Sequence, residues 1–322
     1  MIFAFFGLCV GLFGIGTFTQ INGISSAVNN FFDPENTHIA FSLFGRDYSV
    51  FVVIAGVLVT LFVALVVLGG LKRIAKVSEV IVPFMAVIYV VFCAVLVVCN
   101  IGEVPAAFMT IITGAFNPKA VTGGIVGSMI VAMQKGIARG IFSNEAGLGS
   151  APIAAAAAQT NEPARQGLVT MTGTFIDTIV ICTLTGLSIV ITESWNVGLE
   201  GVAVTTKAFQ DGIPFLSPQV ASFVLMICLV FFAFTTILGW DYYSERCLEY
   251  MTNGSMKAVK IYRWLYIACV FIGPYMTVSA VWTIADIFNG LMAFPNLVAL
   301  LFLNGVIVKE TKDYFDRKKN SL

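Results

Sequence analysis

Apolar residues run along this chain in blocks of about twenty or more, the length that crosses a hydrocarbon core as a helix. Eight blocks stand out, at 2–31, 50–71, 80–101, 125–158, 167–192, 217–241, 261–282 and 284–308. Most of the charge lies in the short polar stretches between them. The pattern predicts an all-α polytopic membrane protein, a single transmembrane domain over residues 1–322 lying in a lipid bilayer.

Lysine and arginine then orient the blocks, because they accumulate on the cytoplasmic side. With the amino terminus inside, the inner loops and tail hold thirteen of them, from Lys72, Arg73 and Lys76 to Lys318 and Lys319. The outer loops hold only Arg46, Lys119 and Lys207. Both ends of the chain are therefore expected to be cytoplasmic. The outer stretch 102–124 contains a segment too short to cross, read equally as a surface helix or lid and as packing filler. The outer loop 193–216 is expected to cover the same entrance.

One block breaks the pattern. Residues 134–159, QKGIARGIFSNEAGLGSAPIAAAAAQ, carry Lys135, Arg139 and Glu145 among four glycines and Pro152. A charge at membrane depth costs at least ~2.5–3.5 kcal/mol on insertion scales. Non-helical backbone is tolerated there only where protein covers it or a wet cavity runs past it. A glycine-interrupted polar break in an apolar segment is the best sequence pointer to a transporter site. The plain alternative is a re-entrant or interfacial loop without a ligand.

Composition agrees with the membrane assignment. Apolar residues make up 58% and charged residues 11%, against about 25% charge in soluble domains. The seven cysteines show no metal-ligand spacing, and His38 stands alone, so neither a metal centre nor a catalytic histidine is expected. The opening MIFAFFGLCVGLFGIGTFTQ lacks the basic start of a signal peptide. It begins inside an apolar run, which points to upstream sequence missing from the chain.

Four other constellations are candidates. In the first block Thr17 and Gln20 stand one turn apart on a helix, with Asn22 beyond. Packing with interhelical hydrogen bonds is the alternative to ligand contact. Thr236 and Trp240 stand at i and i+4, pairing a hydroxyl with an aromatic ring for a small polar ligand. An interfacial tryptophan belt is the alternative. Thr235 and Thr236 also offer hard oxygens to an alkali cation. Asp177 lies inside the fifth block, either functional or a buried acceptor paired with Arg139. Asp286 opens the last block, where it is read as an N-terminal cap.

The stretches RGIFSNEAGLGSAPIAAAA and PARQGLVTMTGTFIDTIVICT, with GIGTFTQINGISSAV, FTTILGWDYYSERCLEY and WTIADIFNGLMAFPNLVALLFLNGVIVKETKDYF, resemble the sodium:alanine symporter family over nearly the whole chain. The family is similar to the leucine-transporter fold, in which two inverted repeats of five helices enclose a midplane site. The resemblance makes the eight blocks repeat helices three to ten. It implies a truncated member lacking the first two helices and the half-sites they bring. Thr17 stands where many relatives have an amide, which bears on substrate preference.

The resemblance implies sodium-coupled symport of a small neutral amino acid, alanine or glycine, across the cell membrane. It implies no enzyme activity and no cofactor beyond sodium as coupling ion. It further implies a monomer with no nucleic-acid partner. Phe142 would wall the pocket, with Ser143, Asn144, Gly147 and the unwound backbone to Gly149 beside the substrate. Thr17, Gln20 and Asn22 would face it. Thr236 and Trp240 would close it around a small side chain, and Thr235 with Thr236 would bind sodium. Arg139, Glu145 and Asp177 would support the broken helix. A helix start after the break would favour the substrate carboxylate. A non-transporting remnant stays open beside the symporter, and a channel or intramembrane enzyme finds no supporting constellation.

Overall fold

The computed structural model describes residues 1–43, 45–116 and 125–320. The first apolar block is two helices, α1 (Ile2–Phe13) and α2 (Phe18–Phe32), separated by a kink at Gly14–Thr17. An antiparallel hairpin follows, β1 (Ile39–Leu43) and β2 (Arg46–Ser49). Next come α3 (Val50–Val67), α4 (Leu71–Cys99) and α5 (Val104–Phe116). The fourth block is α6 (Ile125–Asn144), a turn, and the single helical turn α7 (Ala151–Ala155). The fifth is α8 (Pro163–Phe175), a π-helical stretch Ile176–Cys182, and α9 (Thr183–Ile191). The last are α10 (Val202–Gly212), α11 (Pro218–Met251), α12 (Met256–Ile272) and α13 (Val278–Asn320).

Six helical stretches among the described residues are long and apolar enough to cross a membrane: Ile2–Phe32, Val50–Val67, Leu71–Cys99, Pro163–Ile191, Pro218–Met251 and Val278–Asn320. The chain is a multi-pass, predominantly α-helical membrane protein. Outer faces such as Phe294, Leu301 and Phe302 expose apolar side chains, the arrangement hydrocarbon requires.

The loop after the first block holds a strand pair. Asp33 at the end of α2 organises it: the carboxylate accepts from Thr37 N at 2.8 Å, His38 N at 3.0 Å and the Ser49 hydroxyl at 2.8 Å. The boundary between the last two blocks falls at Gly273–Thr277, not near 283. Asp286 therefore lies about two turns inside α13 and caps nothing. Of the stretch 102–124, read as a surface helix or lid or as packing filler, Val104–Phe116 is helical and 117–124 lie outside the described residues.

Helix α11 is the centre of the bundle, packing on α1, α2, α4, α10 and α12. One apolar cluster joins α2, α3, α11 and α12 through Ile21, Val63, Ile237 and Tyr266. A second joins α1, the Gly14–Thr17 kink, α11 and α13 through Val10, Ile15, Trp240 and Met292, and it takes in Leu148 from the turn after α6. That second cluster brings together segments that the sequence separates by more than a hundred positions.

Candidate functional site

The break after α6 is built by backbone conformations that few residues tolerate. Glu145, Gly147 and Gly149 have φ of 56°, 80° and 89°. Left-handed geometry costs a side-chain-bearing residue about 1–2 kcal/mol, so the strain is tolerated only where neighbours hold it. They do so on three sides. The Asn296 amide of α13, next to Pro295, donates to Gly147 O at 2.9 Å. The Ser150 hydroxyl donates to Glu145 Oε2 at 2.7 Å. At Gly149 a Cβ would lie 2.6 Å from the Phe3 ring and 2.7 Å from Asn296, so only glycine lets α1 and α13 close on the turn.

The end of α6 is fastened to the π-helical stretch. The Ser143 hydroxyl reaches both Asp177 oxygens at 2.9 and 2.8 Å. Asn144 Nδ2 donates to the Thr178 hydroxyl at 3.0 Å. A π turn inside a helix is frequent at functional sites because it turns side chains out of register. Asp177 thus takes a hydroxyl, not Arg139. Arg139 pairs instead with Asp286, donating to both carboxylate oxygens at 2.6 Å. Its guanidinium lies 4.1 Å from the Trp282 ring centroid, and the Phe142 ring lies 5.0 Å from that indole.

The kink in the first block has its own logic. A helix end leaves carbonyls without intrahelical partners, and the polar side chains here supply them. The Thr17 hydroxyl donates to Leu12 O at 2.5 Å, and Thr19 and Gln20 both donate to Ile15 O. Thr17 and Gln20 therefore do not share one helical face, since the helix restarts between them. Trp240 sits beneath this kink, with Gly16 so close that a Cβ would lie 2.5 Å from the Trp240 Cβ. The indole is 2% exposed, which removes the interfacial-belt reading.

Asn22 points another way. Its amide donates to Met276 O at 3.0 Å, in the turn between α12 and α13. It also lines a cavity of about 560 Å³ between α2, α4, α10, α11 and the start of α13. The walls are mostly apolar, with Tyr89, Cys228, Phe232 and Trp282 among them and Glu200 at the α10 side. Thr235 and Thr236 do not line it. Their hydroxyls bond carbonyls of their own helix, Thr235 to Phe231 O and Phe232 O at 3.0 Å and Thr236 to Phe232 O at 2.9 Å.

Ile15, Phe142, Leu148 and Trp240 thus meet in one cluster, while Ser143 and Asn144 bind the π-helical stretch and Asn22 faces the cavity. Trp282 joins the two regions, lining the cavity on one side and meeting Phe142 and Arg139 on the other. The sequence pattern did not single out Trp282 or Asn296. A tryptophan one turn before Asp286 and an amide directly after Pro295 were the available signals. The helix after the break has five residues, too few for the dipole expected of it.

Two backbone breaks thus meet at one buried tryptophan inside an apolar bundle, and discontinuous helices are what transporter sites are typically formed from. A profile of the sodium:alanine symporter family matches residues 1–322. The chain belongs to this family. It is 51% identical over 320 residues to an uncharacterized transporter of Haemophilus influenzae, covering 99% of this chain and 66% of that protein. It is 44% identical over 322 residues to the sodium/alanine symporter AgcS of Methanococcus maripaludis, covering 99% of this chain and 65% of that protein. A probable sodium/glutamine symporter of Bacillus subtilis, GlnT, is 38% identical over 255 residues, covering 79% and 52%. The chain thus spans slightly less than two-thirds of the first two relatives. The family is one of transporters, not enzymes, with sodium as the coupling ion rather than a cofactor.

Proposed function

We propose that this chain forms the body of a symporter that moves a small neutral amino acid, alanine or glycine, across the cell membrane with sodium. The observation that carries this is the meeting of the Gly14–Thr17 kink and the 145–150 break at Trp240. In this reading Phe142, Leu148 and Trp240, packed in one cluster, part to close around a substrate side chain no larger than a methyl group. On the same reading Thr17, Gln20, Ser143, Asn144, Gly147 and Thr236 offer the substrate polar contacts, and Asn22 offers one from the cavity side. Thr235 and Thr236 keep lone pairs for sodium after donating to their own helix. Arg139, Glu145 and Asp177 hold the break in shape.

The eight apolar blocks cross the membrane in this reading, with α6 and α7 as one broken crossing and both ends of the chain cytoplasmic. The cavity then opens outward, under α10, and serves as the substrate's approach to Trp282. The protein acts as a monomer. Sodium and substrate favour the same packed state, so each raises the other's affinity.

The test is uptake of labelled alanine into proteoliposomes under an inward sodium gradient, with a potassium gradient as control. Unlabelled glycine, serine and glutamine compete in parallel. Sodium-dependent uptake blocked by glycine is expected. Uptake blocked by glutamine but not glycine would replace the substrate class. A folded, inserted chain with no uptake would refute the claim that these residues suffice for transport.

A further inference from the structure

Asp241 is fully buried in α11, and neither of its carboxylate oxygens has a hydrogen-bond partner. It shares a helical face with Ile237 and Ser244. Ile237, Tyr262 and Tyr266 there belong to an apolar cluster that Leu8 and Leu12 of α1 also pack against. A bare carboxylate in such a place is among the costliest arrangements a protein can hold, and buried charges are normally paired.

The charges nearby are already committed. Glu245, one turn on, is paired with Arg263 of α12, which donates through Nε and, at 3.0 Å, through Nη2. Helices α1 and α2 carry no charged residue. The start of α4 brings Lys72, Arg73 and Lys76, but among the described residues no ion pair joins them to Asp241.

The hydroxyls nearby are committed in the opposite sense. Tyr262 Oη donates to Ser244 Oγ at 2.5 Å, and Ser244 Oγ donates to Trp240 O at 2.5 Å. Tyr266 Oη donates toward Gly16 O at 3.0 Å and Ile237 O at 2.7 Å. Each hydroxyl has spent its single proton, so what each has left to offer is lone pairs. An anion finds no donor here. A cation finds a carboxylate and hard oxygens together, which is what sodium takes and what a carboxylic proton donates to.

We propose that Asp241 is a monovalent-cation site of this bundle, taking up one proton or one sodium ion at a place distinct from Thr235 and Thr236. The site lies against the first helix at Gly11, where a Cβ would sit 2.5 Å from Ser244 Oγ and 3.1 Å from Tyr262 Oη. Movement of α1 off α11 would therefore open it, so cation release is tied to the bundle's packing. This deepens the symport reading by naming a second cation-binding group, but its test does not depend on uptake.

The experiment measures binding of radioactive sodium by the purified chain, with infrared difference spectra as pH and sodium are varied. Asp241→Asn and Asp241→Ser are compared with the parent, each checked for an unchanged unfolding temperature. Asparagine keeps the shape, and serine serves if asparagine does not fold. If sodium is the ion, the variants bind it about tenfold more weakly or lose one ion per chain. If the proton is the ion, sodium binding is unchanged and a protonated-carboxyl band that responds to pH disappears in the variants. Unchanged sodium binding with no such band, or with a band indifferent to pH and sodium, overturns the proposal. Failure of the symport reading would show separately, as absent sodium-driven uptake by the parent chain.

Discussion

Arg139 and Asp286 stand 147 positions apart and meet through two hydrogen bonds of 2.6 Å, on the face of Trp282. The contact ties the broken crossing to α13. Both side chains are about one-third exposed (35% each), so screening weakens the pair, but Arg139 Nη1 is buried without another acceptor. Asp286→Ala leaves the guanidinium uncompensated and should cost about 1–3 kcal/mol. The exchange of the two residues, Arg139→Asp with Asp286→Arg, should recover part of that. A double-mutant cycle on thermal unfolding measures the coupling, and a value below about 0.5 kcal/mol would mean that the pair contributes nothing.

The two left-handed glycines should respond unequally. Gly147→Ala meets only Leu297, at 3.4 Å, and should cost the conformational strain alone, about 1–2 kcal/mol. Gly149→Ala drives a methyl into Phe3 and Asn296 and should cost about 1–3 kcal/mol more, through overpacking. Unfolding temperatures that rank the two equally would show that the turn can move away from α1 and α13.

The cavity at α2 makes a steric prediction. Gly23 lines it, and a Cβ there meets nothing within 4 Å. Gly23→Ala should leave both stability and uptake near the parent's. Gly23→Trp should fill the approach to Trp282 and abolish uptake without lowering the unfolding temperature. Full uptake by Gly23→Trp would exclude this cavity as the route.

Acid should loosen the hairpin that follows α2. Burial alone would raise the Asp33 carboxyl, but hydrogen bonds from the His38 and Thr37 amides and the Ser49 and Thr37 hydroxyls outweigh it and hold it well below the ordinary carboxylate value. The folded state then binds this proton more weakly than the unfolded state. Its stabilisation is fully present above the unfolded value of about 4, and is lost as pH falls below that. Hydrogen exchange over residues 34–49 should accelerate on acidification. Asp33→Asn should exchange fast already at neutral pH and lose most of the acid dependence. An unchanged acid profile in that variant would assign the effect to another group.

Membrane class was legible in the sequence because it rests on length and apolarity, which are local properties. So was the break after α6, because glycine and charge inside an apolar run are hard to reconcile with a plain helix in lipid. The kink at Gly14–Thr17 was not, since Thr17 and Gln20, which donate to the carbonyls the kink leaves free, read in the sequence only as ligand contacts or as interhelical packing. Asp286 was misplaced for a related reason. A carboxylate near an apolar boundary reads as a cap, and only the fold shows that α13 begins earlier and that Arg139 is opposite.

What the amino-acid sequence determined by itself was the helical membrane class and one backbone segment that could not be a plain helix, because hydrocarbon admits few alternatives for the main chain. What only the tertiary structure decided was the pairing: Arg139 with Asp286, Ser143 with Asp177, Trp240 with the kink at Gly16, and Asp241 with no hydrogen-bond partner. Side-chain partners across a bundle depend on how helices rotate and pack against one another, and that is a property of the whole core rather than of any stretch of chain.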